Sequence, residues 1–297
     1  MSATVVVINQ HSSGARAAIE RLPELFKKHD IAYDDLVIAN DHVRLCARVK
    51  RAVKDGATRL IAGGGDGTMA AATQYLAHSE TTLGLLPLGT GNSFAQTMKI
   101  PHDAESAIRI IAQGHVAHVD LGRVNKTYFA NFATIGLAAE IALGTPNALK
   151  ARFGPLAYAI AGLRPLLKHR AFRARLRWGD HRYETRTQQI VVVSGRFFGH
   201  QPITPEASVT DGKLSVFLDT GTSPIQVART YAAMAIGQQT RLPDSFSIET
   251  SELVVKARPR QPISIDGDDA GKTPAHFRIE KKALRIFVSQ EFINDPV

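Results

Sequence analysis

The sequence predicts an α/β domain built on a parallel sheet over residues 1–122, followed by a mostly antiparallel β-sandwich domain over residues 123–297. Three observations carry that expectation. In the first 120 residues short apolar runs alternate with helix-patterned segments of about ten to fifteen residues, the pattern of strands joined by right-handed crossovers. Two of those runs end in glycine-rich loops, "AGGGDGT" and "PLGTGN". After Asp120 the helical segments give way to short β-rich stretches divided by Gly, Pro, Asp and Asn.

Taken in order, "TVVVIN" (Thr4 to Asn9) reads as a buried strand, with a Ser/Gly turn and a helix from about Ala15 to Lys28 behind it. "DLVIA" (Asp35 to Ala39) is a second strand, and "VRLCARVKRAVKDG" an amphipathic helix stopped by Gly56. "RLIA" leads into the first glycine loop and a helix beginning near Met69, where the Thr68 hydroxyl either caps the helix or reaches a phosphate oxygen. A strand from Leu83 to Leu88, a loop from Gly89 to Asn92 and a further helix repeat the design. All these loops fall on the carboxyl edge of a parallel sheet, where such sheets bind ligands, so Ser12 to Gly14, Gly63 to Thr68 and Gly89 to Asn92 are expected to converge. Beyond Asp120, "TYFANFA", "RARLRW", "QIVVVS", "LSVFLD", "FSIETSELVVKA", "PISID", "HFRIE" and "ALRIFVS" read as strands, the last expected to pack back on the first domain. Helices are expected around Leu156 to Leu167 and from Pro224 to Ile236, the second capped by Ser223.

The first glycine loop is the most informative stretch. Glycines between a strand and a helix let backbone amides crowd an anion at a positively polarised helix end. Two common phosphate loops are excluded: a dinucleotide fingerprint started at Gly63 needs glycine where Thr68 stands, and the stretch has no lysine for a P-loop. Asp66 then sits where a phosphate would go, and two negative groups need a cation between them. Magnesium, bound through a carboxylate and phosphate oxygens, meets that need. The structural alternative is a tight Gly-Asp-Gly turn.

Composition narrows the class. A 44% hydrophobic share with 21% charged residues is that of a globular protein, and a lone Cys46 excludes an intramolecular disulfide. The first residues have no basic region ahead of an apolar one, and no run approaches the roughly 18 apolar residues of a membrane span, so a cytoplasmic protein is expected. Of the net charge of +9, the segment Arg164 to Arg186 carries +6, with eight Lys/Arg against Asp180 and Glu184. Within it "FRARLRW" has the period of a strand with Arg173, Arg175 and Arg177 on one face. Such a strip suits an anionic membrane surface or an acidic ligand, and as a nucleic-acid site it lacks interleaved aromatics; each arginine taken singly reads equally as part of a solvated strand face. The eleven histidines show no zinc-ligand spacing.

"GGGDGT" followed about 20 residues later by "LLPLGTGNSFA" resembles the diacylglycerol kinase catalytic-domain family, in particular its soluble bacterial lipid kinases. "INQHSSG", "VDLG", "FANFATIGLAAEI", "FGPLAY", "PEASVTDGKLSV" and "ISIDGDDAGKTP" extend the likeness almost end to end. The resemblance implies a two-domain, NAD kinase/diacylglycerol kinase-like fold that moves the γ-phosphoryl of ATP to a lipid hydroxyl with Mg2+, the nucleotide lying in the cleft between the domains. It implies nucleotide contacts at Asn9, Gly64, Gly65, Asp66, Gly67 and Thr68, and at Gly89, Thr90 and Asn92 in the second loop. It further implies metal ligation by Asp66 and Asp120, an accessory metal at Asp211, and catalysis by Asp66 with Asp268 as general base. The acceptor would enter through the β-rich domain, where Leu156, Tyr158, Ile160 and Leu163 line a pocket or, on the plainer reading, are core, with the enzyme peripheral to the inner face of the membrane.

Three positions depart from the family pattern. Asp268 replaces the usual Glu and is one methylene shorter, with Asp269 as the adjacent substitute. Ser93 follows Asn92 where an Asp is usual, removing one negative charge, and Thr210 replaces an Asp beside Asp211. Read without the family, "IDGDDAG" is a hairpin turn and Asp211 a turn residue. Two other functions stay open: an NAD kinase, which shares the first loop but not "LPLGTGNSFA", and a non-catalytic nucleotide- or lipid-binding regulator of the same fold.

Overall fold

The structure is a computed structural model that describes residues 3–146, 162, 165, 169–194, 197–198, 201–202, 208–221, 223–235, 238 and 242–296. The chain forms two compact units, Met1–Leu121 with Lys281–Val297, and Gly122–Glu280.

In the first unit β1 (Thr4–Asn9), α1 (Ala15–Lys28), β2 (Asp35–Ala39), α2 (His42–Lys54), β3 (Arg59–Gly64), α3 (Asp66–Leu76) and β4 (Thr82–Pro87) alternate strictly. The strands lie parallel in the order β2-β1-β3-β4, with Val5 beside both Asp35 and Leu60, and Leu60 beside Leu83. β1 and β4 are almost wholly buried, so they read as continuous apolar runs rather than alternating ones. α2 shows how a local sequence closes a helix: the Asp41 carboxylate accepts from the Arg44 amide at 2.6 Å, and Leu45, Val49 and Ala52 bury one stripe. α4 (Ser93–Thr97) and α5 (Ala104–Gln113) follow; α5, unexpected from the sequence, is capped by Asp103 on the Ser106 amide and ends at Gly114 with φ 75°. α1 packs with α5, and α2 with α3.

β5 (Val116–Val124) carries the chain into the second unit, where β6 (Thr127–Phe129), β7 (Phe132–Gly136), α6 (Leu137–Gly144), β8 (Phe172–Trp178), β9 (His181–Thr187) and β10 (Gln189–Val193) follow. A short pair, β11 (Phe197–Phe198) and β12 (Gln201–Pro202), precedes β13 (Leu214–Asp219) and α7 (Pro224–Ala235). β14 (Ser245–Thr250), β15 (Glu252–Arg258), β16 (Pro262–Ile265), β17 (Asp268–Lys272), the long β18 (Ala275–Phe287) and α8 (Gln290–Asn294) complete the chain. The second unit has the antiparallel sheet order β14-β13-β10-β7-β16-β17, and a second sheet in which the start of β18 pairs with β15, then β8 and β9. Ile135, Ile190, Val216 and Ile263 of one sheet share a core with Ala174, Leu176, Val255 and Phe277 of the other, which makes this unit a β-sandwich.

Two segments divide differently from the sequence reading. "FSIETSELVVKA" is two strands in two sheets: at the change the Thr250 hydroxyl donates to the Glu252 carbonyl and accepts from its amide, and the Ser251 carbonyl accepts from Ile279. Conversely "HFRIE" and "ALRIFVS" are one strand, β18, whose burial alternation changes phase around Lys282, a left-handed residue with φ 52°. α7 has a reciprocal cap, Ser223 Oγ accepting from the Gln226 amide and Gln226 Oε1 from the Ser223 amide. Of the expected helix at Leu156 to Leu167 only residues 162 and 165 are described, both helical; Leu156, Tyr158, Ile160 and Leu163, and Ile236, lie outside the described residues. No described helix is long and apolar enough to cross a membrane.

Candidate active site

In the first unit the ends of β1, β3 and β4 bring three loops together. The Gly14 amide donates to the Leu88 carbonyl at 2.9 Å, and the Leu88 amide to Gly64 at 2.9 Å. Asn9, the last residue of β1, donates from Nδ2 to the Thr68 hydroxyl at 3.1 Å, while its Oδ1 accepts from the His11 amide. Thr68 therefore does not cap the helix. α3 begins at Asp66 with Gly65 at its N-cap and no side-chain cap, because β3 runs on through Gly64 and the turn is only one residue long. Thr68 is buried in the first turn, where its hydroxyl joins α3 to β1.

The glycines are dictated by contact. A Cβ on Gly64 would occupy the place of the Thr68 hydroxyl, and a Cβ on Gly89 would run into the Cα of Gly65. The two loops thus touch backbone to backbone, which no side chain permits. Gly67 differs: nothing lies within 4 Å of its Cβ position. In the second loop Asn92 is buried in the left-handed region, φ 51°, and exchanges hydrogen bonds with Gly89, from its Nδ2 to the carbonyl at 2.7 Å and from the Gly89 amide to its Oδ1 at 3.0 Å. Thr90 is exposed at the tip.

Asp66 is half-buried between these loops. Its Oδ1 accepts from the Phe94 amide at 3.3 Å, and its Oδ2 stands 2.9 Å from where Gly91 would carry a Cβ. A carboxylate held on a loop of close-packed glycines, at a helix start free of a side-chain cap, suits a hard cation that shares its remaining ligands with phosphate oxygens. A cage made of protein alone does not fit: the described residues contain no group of three His, Cys, Asp or Glu able to hold a metal.

The other expected metal residues have structural partners. Asp120 is 3% exposed, and its Oδ1 accepts from the Lys282 amide at 2.7 Å, fixing the left-handed residue in β18. Asp211 lies in the turn before β13, its two oxygens accepting from the Ser208 and Lys213 amides at 3.3 and 2.8 Å. Desolvation of the carboxyl group, helped by Glu249, pushes its pKa up despite those amides, although much of the residue's surface is exposed.

Asp268 and Asp269 open β17 after a two-residue hairpin turn, Asp266-Gly267, with φ 47° and 95°. Ile265 lies opposite Asp268 and Ser264 opposite Asp269, so the two exposed acids stand on opposite faces of the hairpin. Asp269 Oδ1 accepts from the Gly271 amide at 2.8 Å. Sequence reasoning passed over Asp266, whose carboxylate accepts from three successive amides, Ala130 at 2.9 Å and Asn131 and Phe132 at 3.1 Å. That clamp ties the turn bearing Asp268 to β7, and its only signal in the sequence is the Asp of an Asp-Gly pair.

Residues 3–124 match the model of the diacylglycerol kinase catalytic domain, and residues 132–288 that of the YegS C-terminal NAD kinase beta sandwich-like domain. A diacylglycerol kinase of Staphylococcus saprophyticus is 25% identical over 98% of this chain and 97% of its own, and one of Staphylococcus epidermidis 26% identical over 97% and 93%. Among solved structures, a diacylglycerol kinase from Bacillus anthracis aligns over 98% of both chains with a TM-score of 0.74 at 17% identity. A further Bacillus anthracis chain reaches a TM-score of 0.84 at 20% identity over 98% and 96%, likenesses that concern the fold. With both domain models matched in order along one chain, the protein belongs to the diacylglycerol kinase-like family, an α/β catalytic domain joined to a NAD kinase-like β-sandwich.

Proposed function

We propose that the protein is an ATP-dependent lipid kinase that transfers the γ-phosphoryl group of ATP to the hydroxyl of a lipid such as diacylglycerol. The observation that carries this reading is Asp66, a carboxylate seated between two glycine loops whose backbones touch. Phosphoryl transfer depends mostly on positioning and charge neutralisation, and a preformed loop supplies the first. The amides of Gly65 and Gly67 and the second loop at Gly89, Thr90 and Asn92 would hold the phosphates, while the Thr68 amide closes the first turn onto the Gly65 carbonyl. Asn9 supports them indirectly by fixing Thr68.

Asp66 is the proposed Mg2+ ligand; bound there, the ion would neutralise phosphate charge during transfer. In the reaction a bond forms between the lipid oxygen and the γ-phosphorus, the bond to the β–γ bridging oxygen breaks, and ADP leaves. The hydroxyl proton passes to a carboxylate, a role we assign to Asp268. Asp120 and Asp211 are secondary candidates for metal contact, since both already accept from backbone amides. The test is incubation of the purified chain with radiolabelled ATP, magnesium and a total lipid extract, with NAD in a parallel tube. A labelled lipid is expected; label in NAD alone would overturn the reading.

A further inference from the structure

The outer face of β8, β9 and β15 collects cations that sequence neighbourhood alone does not join. β8 alternates Phe172, Ala174 and Leu176 inward with Arg173, Arg175 and Arg177 outward. Its register with β9 sets Arg173 opposite Arg186 and Arg177 opposite Arg182. On its other side β15, some eighty residues away along the chain, sets Arg258 opposite Arg173 and Lys256 opposite Arg175. All seven are exposed. Like charges directly opposite one another in a sheet are destabilising, and here four such cross-strand pairs adjoin.

Compensation within the face is slight. Glu184 forms an ion pair with Arg173 Nε at 3.3 Å and accepts from Arg175 Nε at 2.8 Å, and Glu252, at the far end of β15, is already engaged by His276 and Arg278. The surface is polar throughout except for half-buried Val254. It offers no free ring for stacking on bases, because Tyr183 lies flat against Phe246 at 4.2 Å and Trp178 against His181. A flat, aromatic-poor grid of guanidinium groups complements a plane of phosphates.

We propose that this face docks on a bilayer of anionic phospholipid, its arginines pairing with lipid phosphates. The proposal deepens the lipid-kinase reading by naming the surface on which the enzyme would meet its substrate, and it rests on that reading for its purpose alone. Vesicle flotation without ATP tests binding apart from catalysis, using the full chain with phosphatidylcholine vesicles and with vesicles that also contain phosphatidylglycerol. Binding is expected only to the mixed vesicles and should weaken as salt rises. Replacing Arg173, Arg175 and Arg177 together by Gln should lower partitioning about a hundredfold, at about fivefold per charge, and replacing all three by Lys should restore most of it.

Should the glutamine triple fail to fold, Lys256→Gln with Arg258→Gln probes the same face from β15, with an expected loss of about twentyfold. Wild-type binding to neutral vesicles as strong as to anionic ones, or unchanged partitioning in the folded variants, would overturn the proposal. So would tighter binding to a short RNA duplex than to the mixed vesicles.

Discussion

The two units hold their acidic residues in contrasting ways. In the first, Asp66 rides on a loop where main chain meets main chain, and Gly64 and Gly89 leave no room for a side chain. In the second, Asp211 and Asp266 sit on turns and Asp268 and Asp269 at the start of the strand that follows one, where local turn chemistry already calls for Asp. The first arrangement leaves little freedom in sequence and advertises itself. The second lets a structural acid and a proposed proton acceptor look alike in the sequence, as with the neighbouring Asp266 and Asp268: one is consumed by three amides, the other stands exposed.

The comparison can be broken most directly at Asp66. Asp66→Ala should reduce lipid phosphorylation on the order of a thousandfold while leaving the melting temperature near that of the wild type. Retained turnover would remove Asp66 from the proposed site. Next comes the choice between two acids on opposite faces: Asp268→Asn should slow turnover about a hundredfold and Asp269→Asn only a few fold, measured at saturating ATP. The reverse order would transfer the proton-accepting role to Asp269.

Stability measurements sharpen the contrast further. Asp266→Ala strips the acceptor from three amides and should cost about 3 kcal/mol in urea unfolding. Gly89→Ala forces the two glycine loops apart and should cost about 2 kcal/mol, whereas Gly67→Ala, with open space around it in the first turn of a helix, should be neutral or slightly stabilising. Equal losses at the two glycines would show that the loops tolerate separation.

The smallest expected effect concerns Asp219, 1% exposed at the end of β13. Burial, reinforced by Asp244, raises its pKa above the ordinary 3.8, against the lowering effect of nearby Thr230 and of the Gly221 amide on its Oδ1; its Oδ2 is buried with no hydrogen-bond partner among the described residues. Because the folded state holds the proton more tightly than the unfolded chain, this group's contribution is fully present below pH 3.8 and is lost as pH rises through the raised value. Asp219→Asn should therefore flatten that part of the stability profile, read as urea midpoints across the acid range.

Much of the first unit was legible because parallel strands buried on both faces leave continuous apolar runs, and crossovers need helices of standard length. β1, α1 and β2 begin and end where the residue pattern puts them. Thr68 was misread for a local reason: a buried hydroxyl at a helix start resembles a cap until its actual donor, Asn9, comes from a strand 59 residues away. The break at Ser251 and the continuity through Lys282 were hidden likewise, since both depend on which sheet receives the strand.

The sequence alone determined the fold class and the two glycine loops, because each follows from spacing along the chain or from positions where a side chain cannot fit, and its motifs carried the resemblance to the family. The tertiary structure decided which acids are committed to backbone amides, that Asp268 and Asp269 face apart, and that Lys256 and Arg258 join the arginines of β8. The last of these rests on register between distant strands, and with a side-chain period of two a shift of one residue reverses every face.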